Sequence, residues 1–466
     1  MNRFKNYDKE VRDLVIAFEE MQRLHQHRYF DVDQLALISD FYLETYDHAQ
    51  LERVVVYAER LYPGHPEVRL RRSHLLCMQE RYKEANAILL DLERLDPTNT
   101  DVQYAIGTVQ SALGNPRKAI QCFLKASTDG YELGLVYGNI ADEYMHLGKT
   151  DEAIAYYLRA IKANPKEERS FFNLCDTYIL VHQEPQAVQY FSQYVEDHPY
   201  AYNAWYCLGV VYHSQKLYEK AIDAFEFTTT IDPTFPDAYA IKAACYFEMN
   251  DLTHVISSLR EALDHVEKKG PFLSLIAKYY MEAENYVTAL IYLKQAIDID
   301  STSGEEWMDM STCYAMQDEY HEAMRCMDNA FIHGPNEPTI YFEAGHVYDI
   351  FGEDDNAQRH FEAGMNLSPL TDRCLTTYAD FLMDRHRYDE AIDMLNKALL
   401  RCDQPIYFHL RLAECYFRTG RRNFLFNALQ ACVQEDRKMA LDLLNTCPEM
   451  AFDLEVMSIL TSNEDN

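Results

Sequence analysis

No run of some eighteen apolar residues occurs in this 466-residue chain, so no transmembrane helix and no membrane partner are expected. The start, Met1-Asn2-Arg3-Phe4-Lys5, lacks the apolar core of a secretory signal, and the expected location is the cytoplasm. Basic charge is scarce as well. Lys and Arg number 43 against 75 acidic residues, a formal net charge of -32. That balance argues against nucleic acid as a partner, because binding it needs a basic surface. The twelve cysteines contain no CxxC pair, which speaks against a metal set and, in a reducing compartment, against a disulfide framework. Motifs of the G-x-S-x-G, H-E-x-x-H and glycine-rich dinucleotide types are missing too. Gly148-Lys149-Thr150 ends like a phosphate-binding loop, but the first glycine of that motif would fall on Glu143. No enzyme, metal site or cofactor is expected from these residues.

What the chain does have is a period. From Trp205 it runs Trp205-x2-Leu208-Gly209-x2-Tyr212, then Ala221-x3-Phe225, then Pro233. Steps of 34 from Gly209 land on small residues every time, from Ser39, Ser73 and Gly107 through Ala141 and Cys175 to Gly345, Ala379 and Ala413. A helix position that stays small in twelve copies marks close approach by a neighbouring helix. Tyr212 recurs as Tyr144, Tyr178, Tyr246 and Tyr280, and Ala221 as Ala85, Ala119, Ala153 and Ala187. Cys245, Cys313 and Cys415 share one register with Val109, Val211 and Phe381, so they read as small core residues.

Within a unit, Trp205, Leu208, Gly209 and Tyr212 fall on one stripe of a helix, and Ala221, Phe225 and Thr228 on the matching stripe of a second. Turns such as Leu147-Gly148-Lys149 separate the two. Pro63, Pro97, Pro165, Pro199, Pro233, Pro335 and Pro369 punctuate the ends of units, with Tyr131, Glu267, Ser301 and Asp403 in their place elsewhere. The pattern predicts an all-α chain: a capping helix within residues 1–31, twelve repeats over 32–439, and a C-terminal capping helix with a short tail over 440–466.

These residues resemble the tetratricopeptide repeat (TPR) over about nine-tenths of the chain. The resemblance implies a right-handed α-solenoid superhelix of antiparallel helix pairs, whose first helices line a concave groove holding an extended peptide or a partner's helix. In that family an asparagine at the position of Asn139 and Asn173 resembles the amide that bonds peptide backbone, and Asp142 and Asp176 lie on the same stripe. The basic residues of the family's two-carboxylate clamp are absent, since Ala36, Leu70, Tyr104, Gly138 and Phe172 occupy their places.

Tyr104, Phe172, Tyr206 and Phe342 line the same stripe. The signature residues already fill the core stripe, so surplus apolar groups on a second face point to pockets for apolar anchors. From Asp298 to Asp372 seventeen acidic residues face only Arg325 and Arg359, which suggests an acidic docking belt including Asp309, Glu343 and Asp349 for a basic flank. The expected function is a noncatalytic scaffold that binds peptide segments of partner proteins bearing basic and apolar residues. The alternative is a regulatory or targeting subunit acting through its ends or convex face. The oligomeric state is not legible.

Overall fold

The computed structural model describes residues 8–127, 132–300, 302–367, 370–400 and 405–461. Tyr131, Ser301, Pro369, Asp403 and the expected tail at 462–466 lie outside them. The described residues form helices and no strand, and none of those helices is long and apolar enough to cross a membrane. The chain divides into two compact units, one up to Asp232 and one from Pro233.

In the N-terminal unit α1 (Lys9–Arg23) precedes six helix pairs. They are α2 (Val32–Glu44) with α3 (His48–Leu61), α4 (Pro66–Met78) with α5 (Tyr82–Leu95), and α6 (Thr100–Ala112) with α7 (Pro116–Ala126). Then come α8 (Leu133–His146) with α9 (Thr150–Ala163), α10 (Glu168–Leu180) with α11 (Glu184–Asp197), and α12 (Tyr202–Ser214) with α13 (Tyr218–Ile231). The C-terminal unit continues with α14 (Pro236–Glu248) and α15 (Leu252–His265), α16 (Gly270–Glu282) and α17 (Tyr286–Ile299), and α18 (Gly304–Ala315) and α19 (Tyr320–His333). Its last pairs are α20 (Pro338–Ile350) with α21 (Asp354–Met365), α22 (Asp372–Asp384) with α23 (Tyr388–Ala398), and α24 (Pro405–Arg418) with α25 (Arg422–Glu435).

One backbone device joins the two helices of every pair. Tyr46, Glu80, Gly114, Gly148, His182, Lys216, Asn250, Glu284, Asp318, Gly352, His386 and Gly420 all have φ between 54° and 73°. They stand 34 residues apart without exception. After α12, the Lys216 N–H donates to His213 O at 2.9 Å and the Leu217 N–H to Tyr212 O at 2.9 Å, the Schellman closure that satisfies the last carbonyls of a helix. Only four of the twelve are glycine, so residue type alone hides this half of the repeat.

The recurring small residue is explained by what sits above it. A Cβ on Gly107, Gly209 or Gly345 would lie 2.6, 2.6 and 2.7 Å from the rings of Phe123, Phe225 and Phe361. Each phenylalanine comes from the second helix of the same pair and is buried. Gly209→Val should therefore overpack the N-terminal unit and lower its stability by about 1–3 kcal/mol, read as a drop in urea midpoint. An unchanged midpoint would show that the ring has room to move aside. The described cysteines are all free, most of them buried, in keeping with a core role.

At the ends the caps are short helices. α1 stops at Arg23, where His25 takes φ 50°. Leu24 is consequently exposed, and Phe30 folds back instead to meet Phe18 edge-on at 5.9 Å. Residues 437–461 form α26 (Arg437–Thr446), a 3-10 turn at Pro448–Phe452 and α27 (Leu454–Thr461); Pro448 interrupts the helix by removing a donor.

Candidate functional site

The first helices of α6/α7, α8/α9, α10/α11 and α12/α13 present a continuous polar and aromatic strip in the N-terminal unit. Asp142 on α8 is its hub. Its Oδ1 accepts from Tyr157 Oη at 2.6 Å and from Asn173 Nδ2 at 2.9 Å, and its Oδ2 lies 3.3 Å from Arg169 Nη1. Arg169 also donates to Asn139 Oδ1 at 2.7 Å, and Asn139 Nδ2 donates to Tyr104 Oη at 2.8 Å. Burial first, and then the Asp142 carboxylate, push the Tyr157 phenol far above its ordinary pKa, so the phenol stays a donor. Burial also raises that of Tyr104. Phe172 and Tyr206 meet edge-on at 5.4 Å and extend the strip onto α12.

Both amides are oriented but not used up. An amide has two donor hydrogens and two acceptor lone pairs. Asn139 spends one of each on Tyr104 and Arg169, and Asn173 turns its Nδ2 toward Asp142 and Tyr157. A donor and an acceptor remain on Asn139, and the carbonyl oxygen remains on Asn173. Gly138 leaves the guanidinium room, since a Cβ there would sit 3.0 Å from Arg169 Nη2 and from Ser170 Oγ.

The Asp142–Asn173 contact belongs to a rule of register. The residue after the small position in one first helix meets the residue two before it in the next. The same rung recurs as Asp40–Arg71 at 3.0 Å, Lys278–Asp309 at 4.0 Å and Asp380–Arg411 at 2.6 Å. Opposite or complementary groups face each other at all four.

Two sequence expectations need correction. Phe342 is not on an open face: it is 2% exposed on α20, packed against Phe361 at 5.9 Å and closing over Gly364. The acidic belt is likewise not free charge. Glu343 pairs with Arg373 at 2.8 Å, Asp349 with Arg385, and Asp309 lies 4.0 Å from Lys278. Burial raises the pKa of Asp309 to about 7 against that lysine. The neutralising cations stand just outside the stretch from Asp298 to Asp372, and helix pairing brings them back to it. Asp176 is exposed on α10 and takes no part in the network around Asp142.

Two residues of the strip had no place in the sequence reading. Arg169 is the first, and its reach back to Asn139 and Asp142 on the preceding first helix is a matter of register. Glu143 is the second. Its side chain is 3% exposed, and it borders a cavity of about 480 Å³ lined from α6 to α10 with Tyr104, Asn139, Asp142 and Tyr157. Comparing residue types at a fixed step would have found it, since its counterparts include Val109, Val211 and Cys245.

Comparison with known proteins agrees with the helix pairs. Residues 100–128 and 135–167 match one family model described as tetratricopeptide repeat, and residues 202–235 match a second. The general transcriptional corepressor trfA of Dictyostelium discoideum is 30% identical over 114 residues, 24% of this chain and 8% of that protein's length. TPR repeat-containing protein YpiA of Bacillus subtilis (strain 168) is 20% identical over 340 residues, 72% of each chain. Among solved structures, yeast Tom70 aligns with a TM-score of 0.49 at 11% identity, covering 93% of this chain and 99% of that one.

Proposed function

This chain is a tetratricopeptide-repeat protein, and from that premise we propose that it is a noncatalytic scaffold binding an extended segment of a partner protein across the first-helix face of its N-terminal unit. The observation that carries the reading is the network around Asp142. Three donors, Tyr157, Asn173 and Arg169, fix one carboxylate, and Arg169 in turn holds Asn139, so both amides are oriented with hydrogen-bonding capacity left over. Preorganised amides lose little on binding and read backbone without demanding a side chain. Phe172 and Tyr206 supply the apolar contact beside them. Asp309, Glu343 and Asp349, which each face a cation of the fold, are left out of this reading.

Affinity capture of partners from the native cell with the wild-type chain and with Asn139→Ala/Asn173→Ala tests this. Losing an amide should weaken binding by about 1–3 kcal/mol, because it strands desolvated peptide groups. The unit itself should soften slightly, since the same amides bond Tyr104, Arg169 and Asp142. Capture at wild-type strength by the double variant would sink the reading. A second reading, a subunit held in a complex through its end, has one observation of its own: Phe452 and Leu454 are each 87% exposed. Phe452→Glu/Leu454→Glu in the same capture separates the two, because it should be silent if the N-terminal face does the binding.

A further inference from the structure

Glu143 occupies a position that elsewhere belongs to the core. Its eleven equivalents at steps of 34 run from Phe41, Leu75 and Val109 to Val347, Phe381 and Cys415, and none carries a charge. Most are fully buried, and Glu143 follows them in. Its side chain is 3% exposed and its Oε2 is sealed from solvent with no hydrogen-bond partner. The nearest cationic group is His146 Nδ1, 3.7 Å away on a side chain that is itself 65% exposed. Arg169 is engaged by Asp142, Asn139 and Glu167.

A buried carboxylate without a firm partner is expensive, and a valine would serve the packing at this register better. Such a departure from an otherwise regular pattern, without structural return, is characteristic of functional positions. The surroundings say what would settle it. Glu143 borders the cavity of about 480 Å³, whose walls include the rings of Tyr104, Phe123 and Tyr157 and the thioether of Met145; Arg169 also lines it, its charge already met by Asp142 and Glu167. Apolar walls suit a hydrocarbon stem, and a carboxylate lacking a counter-charge suits a cation at its end.

We propose that this cavity receives a basic side chain, lysine or arginine, of the partner segment, with Glu143 as its counter-ion. This rests on the peptide-binding reading of the same face and adds the residue class that the face selects. The segment's backbone lies along Asn139 and Asn173, and its basic side chain enters between α6 and α8.

The test uses the full chain with methyl-13C methionine, the Met145 signal being identified through Met145→Leu. The probe is n-butylammonium, the head and stem of a lysine side chain, and n-butanol is the neutral control. Wild type should show a saturable Met145 shift with butylammonium in the millimolar range and bind butanol roughly tenfold more weakly. Glu143→Gln should lose that preference, and Glu143→Val, the residue found at this register as Val109 and Val211, should lose it while melting no lower than wild type. Equal shifts from both probes, no saturable shift in wild type, or an undiminished cation preference in either variant would overturn the proposal. The two readings fail separately. If Asn139→Ala/Asn173→Ala captures partners normally while butylammonium still needs Glu143, the cavity stands and the backbone reading falls. If capture depends on the amides while the cavity ignores the probe's charge, the reverse holds.

Discussion

Replacing Phe361 by alanine should lower the stability of the C-terminal unit by about 3–5 kcal/mol, the range for removing a fully buried phenylalanine from a packed interior. The ring is 0% exposed. It seats on Gly345 and Phe342 of its own pair and stacks on Tyr378 at 5.0 Å, with Phe381 also at 5.0 Å, in the next. It therefore joins α20/α21 to α22/α23, and its loss both opens a cavity and weakens a junction. The two tryptophans make the effect separable. Trp205 lies in the N-terminal unit and Trp307 in the C-terminal one. In a Trp205→Phe background the urea midpoint read from Trp307 should fall steeply, whereas in a Trp307→Phe background the Trp205 midpoint should hold. Equal falls in both would mean that the units unfold as one.

Asp309→Asn should stabilise the C-terminal unit at alkaline pH and leave it unchanged in acid. Burial raises the carboxyl from an ordinary 3.8 to about 7, with the Lys278 ammonium opposing. Between those values the folded chain holds a proton that the unfolded chain has released. Stability contributed by this group is thus fully present below pH 3.8 and is lost as pH rises through 7. At ~1.4 kcal/mol per tenfold change in acidity, the ceiling is about 4 kcal/mol. Asparagine removes the ionisation, so the variant-minus-wild-type difference should grow from near zero at about pH 4 to about 2–4 kcal/mol at about pH 8. A difference flat in pH would refute this account. The comparison must be made as a difference, because His74 works the other way. Burial, aided by Arg71, lowers its pKa from 6.5 to about 3, and the N-terminal unit loses stability as pH falls below 6.5.

Packing between helices was the legible part of the sequence. Close approach admits only small side chains, so Ser39, Gly107 and Gly209 declare themselves by type, and the prolines mark where helices stop. The left-handed turns were not legible as a series, because Tyr46, His182 and Lys216 adopt through context what glycine adopts freely. The strip through Asn139, Asp142 and Asn173 could be placed on one face by spacing, yet its hydrogen bonds depend on Arg169, one turn before Asn173 on α10, and on Tyr157 from α9. Phe342 misled because an aromatic on a second stripe serves the core when the facing residue is as small as Gly364. The acidic stretch misled at Glu343 and Asp349 because charge was counted along the chain, whereas Arg373 and Arg385 reach those two across helices. Glu143 was visible only by contrast with its equivalents.

The rungs between first helices also bear on how the chain reaches this state. Among the longest side-chain links described, those from Cys207 to Phe171 and from Arg385 to Asp349 each span 36 residues. Stabilising contacts are thus nearly all between near neighbours in sequence, the condition under which loop closure is cheap and folding is fast. Each helix pair can dock on the one before it as soon as it exists. On the ribosome the N-terminal unit, with its complete strip from Tyr104 to Tyr206, would be assembled while the C-terminal unit was still being translated. A partner segment could therefore meet the proposed face before synthesis of the chain is finished.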